Sequence, residues 1–208
     1  MRQTHLESSG PRLLIGSGNP HKIAELLCGL NGSDIPCVSL SDLPDAPEVV
    51  EDGKTFEANA RKKACVWSRF SGLWTLSDDS GIEVDALDNA PGVLSARFAG
   101  SHGDDAANIR KLLDCLAGCT NRRARFRCVL ALAAPDGQCE TIEGVCNGSI
   151  AFTPKGRNGF GYDPVFIPEG YRGTFGTLSP RTKARLSHRA QALRLARQRW
   201  RDRLDAPC

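Results

Sequence analysis

The sequence has no run of 18 or more apolar residues, so a membrane-spanning helix is excluded. It also has no CxxC pair, and its nine cysteines (28, 37, 65, 115, 119, 128, 139, 146 and 208) are odd in number. The opening residues, MRQTHLESSGP, lack the apolar centre of a signal peptide. A cytoplasmic location is therefore expected, and with it no disulfide framework. Cys115 and Cys119, the one closely spaced pair, read as small apolar residues on one helix face rather than as a zinc site. The P-loop pattern GxxxxGK[ST] is missing, as are internal repeats and low-complexity tracts.

What is present fits an ordinary globular protein. The 208 residues, 40% hydrophobic and 25% charged, suffice for one large domain or two small lobes around a sizeable core. The net charge of +3 conceals an asymmetry. Residues 1–120 carry 11 Lys/Arg against 17 Asp/Glu, and residues 121–208 carry 16 against 7. Spread over solvated faces, these charges carry no message; gathered in one cleft, they suit a metal–polyphosphate ligand.

The hydrophobic pattern alternates between helix and strand. Residues 13–16 read as a short strand, followed by a turn in which Asn19 caps a helix and Pro20 takes its first position. Ile23, Leu26, Leu27 and Leu30 then recur at helical spacing. A strand near 35–40 leads into an acidic loop, 42–53, and Thr55 opens a helix with Phe56, Ala60, Ala64 and Trp67 on one face. Strands at 73–76 and 82–86 flank a polar turn at 77–81, and Asp104 or Asp105 starts another helix. Residues 125–134 and 140–150 pair as strands through Pro135-Asp136-Gly137. A Gly-rich loop, 156–164, precedes a helical end whose stripe is Leu193, Ala196, Trp200 and Leu204. The pattern predicts an α/β fold with a mixed sheet.

Four segments can carry chemistry. Ser17-Gly18-Asn19-Pro20-His21-Lys22 brings a strand into a helix N-terminus, where free backbone N–H groups and Lys22 can meet an anion. Asp78-Asp79-Ser80-Gly81 sets two carboxylates side by side, a repulsion that a cation relieves, although a capped polar turn would look the same. Glu48, Glu51 and Asp52 can add a ligand from the acidic loop. In Gly156-Arg157-Asn158-Gly159-Phe160-Gly161-Tyr162-Asp163, either aromatic can stack on a base or simply pack. Lys183 and Ser187-His188-Arg189 place three basic groups near a helix start.

In this order, Ser-Gly-Asn-x-x-Lys, Asp-Asp-Ser-Gly-Ile-x-Val-Asp-Ala-Leu, Gly-Phe-Gly-Tyr-Asp-Pro-Val-Phe and Lys-x-x-x-Ser-His-Arg, the chain closely resembles the inosine triphosphate (dITP/XTP) pyrophosphatases. The resemblance implies Mg²⁺-dependent hydrolysis of ITP, dITP and XTP to the monophosphate and pyrophosphate, by a homodimer without membrane or nucleic-acid partners. It implies an elongated mixed β-sheet with flanking helices, forming two lobes around a central cleft. One domain over residues 12–204 is expected, with a disordered extension over 1–11. By the same resemblance Asp79 is the general base and a Mg²⁺ ligand, with Glu51 and Asp78 as further ligands. Substrate contacts are implied for Ser17, Gly18, Asn19, Pro20, His21, Lys22, Lys63 and Ser80. They are also implied for Phe160, Gly161, Tyr162, Asp163, Lys183, His188 and Arg189, the last two at the 6-oxo edge of the purine.

Three positions depart from the family pattern. Ala58 replaces the Glu that would complete a capping box after Thr55, Thr177 stands where Glu is usual, and Ala184 where Asn is common. Two rivals use the same residues differently. A Maf-like pyrophosphatase would act on pyrimidine triphosphates, against which the Ser-His-Arg segment argues. A nucleic-acid-binding module would use the arginines at 194, 197, 199, 201 and 203, which suit a solvated helix face better.

Overall fold

The computed structural model describes residues 12–31 and 35–204; the expected extension over residues 1–11 lies outside them. Strand β1 (Leu13–Gly16) runs into helix α1 (Pro20–Leu30), whose start is set by the Asn19 carboxamide accepting from the His21 and Lys22 N–H groups. Strand β2 (Cys37–Ser39) is shorter than the 35–40 expected. Helix α2 (Phe56–Ser71) begins at Thr55, whose hydroxyl accepts from the Ala58 N–H, and stops at Gly72 in the left-handed conformation. The reciprocal half of a capping box is missing with Ala58, and Glu57 instead pairs with Arg61 one turn on.

Residues 77–81 depart from the polar turn expected of them. They form no turn, because one continuous strand, β3 (Trp74–Val84), runs through them. Eleven-residue β4 (Arg123–Ala133) pairs with it antiparallel, setting Asp78 opposite Leu130 and Asp79 opposite Val129. The turn-forming composition of Asp-Asp-Ser-Gly yields to this long ladder, in which cations offset the Asp78 carboxylate and Lys63 lies beside Asp79. Strands β5 (Cys139–Ile150) and β6 (Phe166–Pro168) complete a six-stranded sheet in the order β2-β1-β3-β4-β5-β6. Strand β1 is parallel to β2 and β3, and the remaining pairs are antiparallel.

Period-two alternation along β4 feeds two cores. Cys128, Leu130 and Leu132 join Leu13, Ile15, Leu26 and Leu193 on one face. Val129, Ala131 and Ala133 meet Phe56, Ala60 and Ala64 of α2 on the other. A third cluster packs Ile109, Leu112 and Leu116 with Ile82, Phe126, Phe166 and Phe175, around helix α3 (Asp105–Cys115). Because α3 ends at Cys115, Cys119 lies beyond it and does not share a helix face with Cys115. Short helix α4 (Pro180–Leu186) leads into α5 (His188–Arg199) and α6 (Arg201–Leu204). The expected stripe Leu193, Ala196, Trp200 and Leu204 is buried as one row, but it spans two helices that meet at Trp200.

One close approach fixes where α5 sits. A Cβ on Gly144 of β5 would collide with the His188 carbonyl and the Ala192 N–H nitrogen, so the bare glycine lets α5 lie directly on the sheet. His188 and Arg189 are thereby held at the sheet surface.

Candidate functional site

Strand β1 ends at Gly16, opposite Ser77, and β3 continues past it into Asp78 and Asp79. The carboxyl end of β1 therefore lies beside the two aspartates, and the carboxyl ends of parallel strands are the usual place for a ligand in an α/β sheet. Since β3 alternates, Asp78 points toward α1 and α5 while Asp79 points toward α2.

Asp78 is fully buried. Its Oδ2 lies 3.3 Å from Lys22 Nζ and accepts from Arg189 Nη2 at 2.8 Å and Nε at 3.2 Å. Burial alone would raise its pKa, but Lys22, Arg189 and Lys63 overcome this and hold it far below the usual carboxylate range. Its Oδ1 is buried without a hydrogen-bond partner. Asp79 behaves oppositely. Burial, reinforced by Glu51, pushes its pKa up to about 6 against the pull of Lys63, Lys22 and Asn59. Asn59 Nδ2 donates to Asp79 Oδ2 at 2.9 Å, and the Asn59 carbonyl oxygen accepts from Gly53 N–H at 2.7 Å.

Lys63 joins the two acidic segments, with its Nζ 2.9 Å from Glu51 Oε1 and 3.9 Å from Asp79 Oδ1. Burial disfavours its charge, yet Asp79, Asp78 and Glu51 together raise its pKa above the ordinary value. Glu51 is itself lowered, because Lys63 and Lys22 outweigh its burial. The rest of the acidic loop stays outside: Asp52 pairs with Lys62 at 2.6 Å on the surface, and Glu48 is exposed.

The second half of the site lies around Phe160. The Phe160 N–H donates to Asp163 Oδ2 at 2.8 Å, and Lys183 Nζ meets the same oxygen at 2.5 Å. Lys183 also lies 2.7 Å from Glu25 Oε1 and 4.5 Å above the Phe160 ring. Glu25 joins the two halves, pairing with both Lys183 and Arg189. Ser80 Oγ accepts from Arg189 Nη2 at 2.8 Å.

Several expected roles change in this geometry. The start of α1 does not present free N–H groups, because Asn19 takes those of His21, Lys22 and Ile23, leaving the Lys22 ammonium to face an anion. Tyr162 is buried and its hydroxyl donates to the Ser95 carbonyl at 2.9 Å, so it packs, and Phe160 is the aromatic left at the cleft. Gly161 N–H is bound by Asp105 at 2.6 Å. Arg189 is buried and its Nε and both terminal nitrogens are engaged by Asp78, Glu25 and Ser80. His188 is buried and stacked on Phe126 at 4.8 Å, its Nδ1 unpartnered. Burial, with Arg189 and Lys183 nearby, keeps its imidazole neutral. Ser17 is buried with its hydroxyl accepting from the Asn19 N–H, while Gly18 and Pro20 are exposed. Among the described residues no group of three or more His, Cys, Asp or Glu forms a ready metal cage, so Glu51, Asp78 and Asp79 are not a preassembled trio.

Two members of the site escaped the sequence reading. Glu25 follows Lys22 by three and Asn59 precedes Lys63 by four, spacings that put each pair on one helix face. A cavity of about 570 Å³ between β4, β5 and β6, lined by Arg123, Asn147 and Tyr171 among others, shares no residue with this constellation.

The sequence model described as the Ham1 family matches residues 13–199. The chain belongs to the Ham1 family. A relative from an Exiguobacterium species, named dITP/XTP pyrophosphatase, is 50% identical over 183 residues, covering 88% of this chain and 93% of that protein. One from Rhodopirellula baltica with the same name is 48% identical over 186 residues, with 88% and 89% covered. Among solved structures, a HAM1 protein from Coxiella burnetii superposes with a TM-score of 0.85 at 36% identity, covering 93% of this chain and all of that one. The Mycobacterium abscessus structure titled nucleoside-triphosphatase / dITP/XTP pyrophosphatase gives 0.75 at 47% identity, covering 88% and 97%. The mixed sheet with flanking helices is thus the Ham1 architecture, as expected from the sequence.

Proposed function

We propose that this Ham1 chain hydrolyses aberrant purine nucleoside triphosphates, ITP, dITP and XTP, with water to the nucleoside monophosphate and pyrophosphate, removing them before they enter DNA or RNA. The observation that carries the reading is Asp79, a buried carboxylate with a pKa of about 6 beside Lys63 and Lys22. A group poised near neutrality can orient a water and take its proton as it attacks the α-phosphorus. Lys22 and Lys63 are placed to offset charge that develops on the phosphates. Asn59 holds Asp79 and Glu51 anchors Lys63.

The donor set also fits Mg²⁺, which takes one or two protein carboxylates and completes its shell with water and phosphate. Asp79, with Glu51 raising its pKa, and the unpartnered Asp78 Oδ1 are the groups a divalent cation would relieve. When bound, Mg²⁺ supplies Lewis-acid neutralisation of the phosphate oxygens.

At the base end, Phe160 offers a stacking surface, and Lys183, Asp163, His188 and Arg189 surround the purine edge. Donors aimed at O6 favour ITP and XTP over ATP, whose amino group leaves them unpaired. Arg189 must share its guanidinium between Asp78, Glu25 and the base. We further infer one two-lobed domain over residues 12–204, acting as a homodimer in the cytoplasm without nucleic-acid partners. No helix among the described residues is long and apolar enough to cross a membrane. Arg199 and Arg203 of the basic C-terminal segment are engaged by Glu140 of the same chain.

Pyrophosphate release from ITP, dITP, XTP, ATP, GTP and the pyrimidine triphosphates, with and without Mg²⁺, tests this. Release from the first three, dependent on Mg²⁺ and weak on ATP, is expected. Preference for pyrimidine triphosphates, or no release from any, would overturn it.

A further inference from the structure

The His21 and Phe160 rings face each other at 5.1 Å between centroids, with 11° between their planes. They come from different segments of the site. His21 is the second residue of α1, just after the turn from β1, and Phe160 belongs to the loop 156–164. The Phe160 side is pinned. Its N–H is held by Asp163, Lys183 lies over its ring, and Gly159 has φ +77° where a Cβ would strike the Asp163 carboxylate. The His21 side is loose: the residue is exposed and, among the described residues, its imidazole makes no hydrogen bond. A rigid aromatic surface thus faces an aromatic arm that can rotate.

The position of the arm gives it a use. The next residue, Lys22, reaches the cleft at Asp78, so one turn of α1 presents a cation to the phosphate side and a ring to the base side. We propose that His21 and Phe160 form a two-sided clamp, the imidazole turning outward so that the nucleobase slides between the rings and is stacked on both faces. This rests on the function proposed above and adds to it a residue on the far side of the base from Phe160. A base about 3.4 Å thick requires the ring separation to grow from 5.1 Å to about 7 Å, which rotation of an exposed side chain supplies. Two base–ring contacts then replace one ring–ring contact. Stacking tolerates any base because every base has a π-face, so the clamp adds affinity without choosing among purines, and selection stays with the groups at the purine edge.

The test is steady-state kinetics together with equilibrium binding of ITP and XTP to the full chain. For His21→Ala we expect KM and Kd to rise about ten-fold, the size of one lost base–aromatic stack, with kcat changed by less than about three-fold. The rise should be equal for ITP and XTP, and His21→Phe should restore both constants. Unchanged or lower constants in His21→Ala would overturn the clamp, the latter meaning that the imidazole competes with the base for Phe160. A wild type that binds ITP without releasing pyrophosphate would refute the proposed function alone, because the Kd ratio still judges the clamp. No binding of ITP by the wild type would overturn both.

Discussion

Asp78 and Asp79 are neighbours in sequence and leave β3 on opposite faces, and their titrations move in opposite directions. Asp78 is clamped by Arg189 and Lys22, which keep it ionised, whereas burial and Glu51 push Asp79 toward its protonated form. One strand thus carries a permanently charged anchor beside a group able to exchange a proton.

The strain at Asp79 predicts a trade between activity and stability. Its folded pKa of about 6 exceeds the ordinary 3.8, so the fold prefers the protonated form. That preference is fully present below pH 3.8 and is lost as pH rises through 6, where ionisation costs stability. Asp79→Asn should therefore be more stable than the wild type at pH 7.5 in chelator, by about 2–3 kcal/mol, since the raised pKa already includes the pull of Lys63. The gain should shrink toward pH 4, and turnover should fall by about 10²–10⁴-fold. Thermal melts across pH, paired with pyrophosphate release, check both halves.

Arg189 should behave as a buried support. Removing it leaves Asp78 buried without its closest cation and Glu25 without one of its two partners, a loss of about 3–5 kcal/mol for a broken buried ion pair. We expect Arg189→Ala to unfold at markedly lower denaturant and Arg189→Lys to recover only part, since lysine lacks the planar fork that reaches Asp78, Glu25 and Ser80 together. Urea unfolding measures the difference; an Arg189→Ala variant as stable as the wild type would contradict the ion-pair geometry.

Asn59 is placed to set the acid limb of the activity profile. Its amide donates to the Asp79 carboxylate and so favours the ionised form. Asn59→Ala should lose about 1–3 kcal/mol of stability from two unpaired partners and move the acid limb of kcat/KM to higher pH. Asn59→Asp, which sets a further carboxylate beside Asp79, should move it further still. A pH–rate series on the three proteins measures the order.

Gly144 should not tolerate a side chain. Alanine there would push against the backbone of α5 at His188 and Ala192, so Gly144→Ala should destabilise by about 1–3 kcal/mol or more and displace Arg189. Melting temperature and KM for ITP should worsen together, whereas a change at exposed Gly18, where a Cβ meets nothing within 4 Å, should leave stability intact.

Local signals were legible where a single short-range force decides. Asn19-Pro20 marks the start of α1 and Thr55 that of α2, because capping depends on residues within one turn. The stripe from Leu193 to Leu204 showed which side of the C-terminal segment is buried, but not the break at Trp200. Asp-Asp-Ser-Gly misled, since its turn-forming composition was overruled by a ladder of ten residue pairs with β4 that no local window contains. Glu25 and Asn59 could have been found from their spacing to Lys22 and Lys63. Without the partners across space, nothing distinguished them from surface residues.

The sequence by itself determined the alternation of helices and strands, the four motifs in order, and therefore the Ham1 family, because these depend on residue types at short, fixed spacings. It also brought both signs of charge to the chain without showing where they meet. Only the tertiary structure decided that Asp78 is held by Arg189, 111 residues away, while Asp79 faces Asn59 and Lys63. The pKa values of two adjacent aspartates separate for that reason: burial and neighbouring charge act through space, and the fold alone sets those distances.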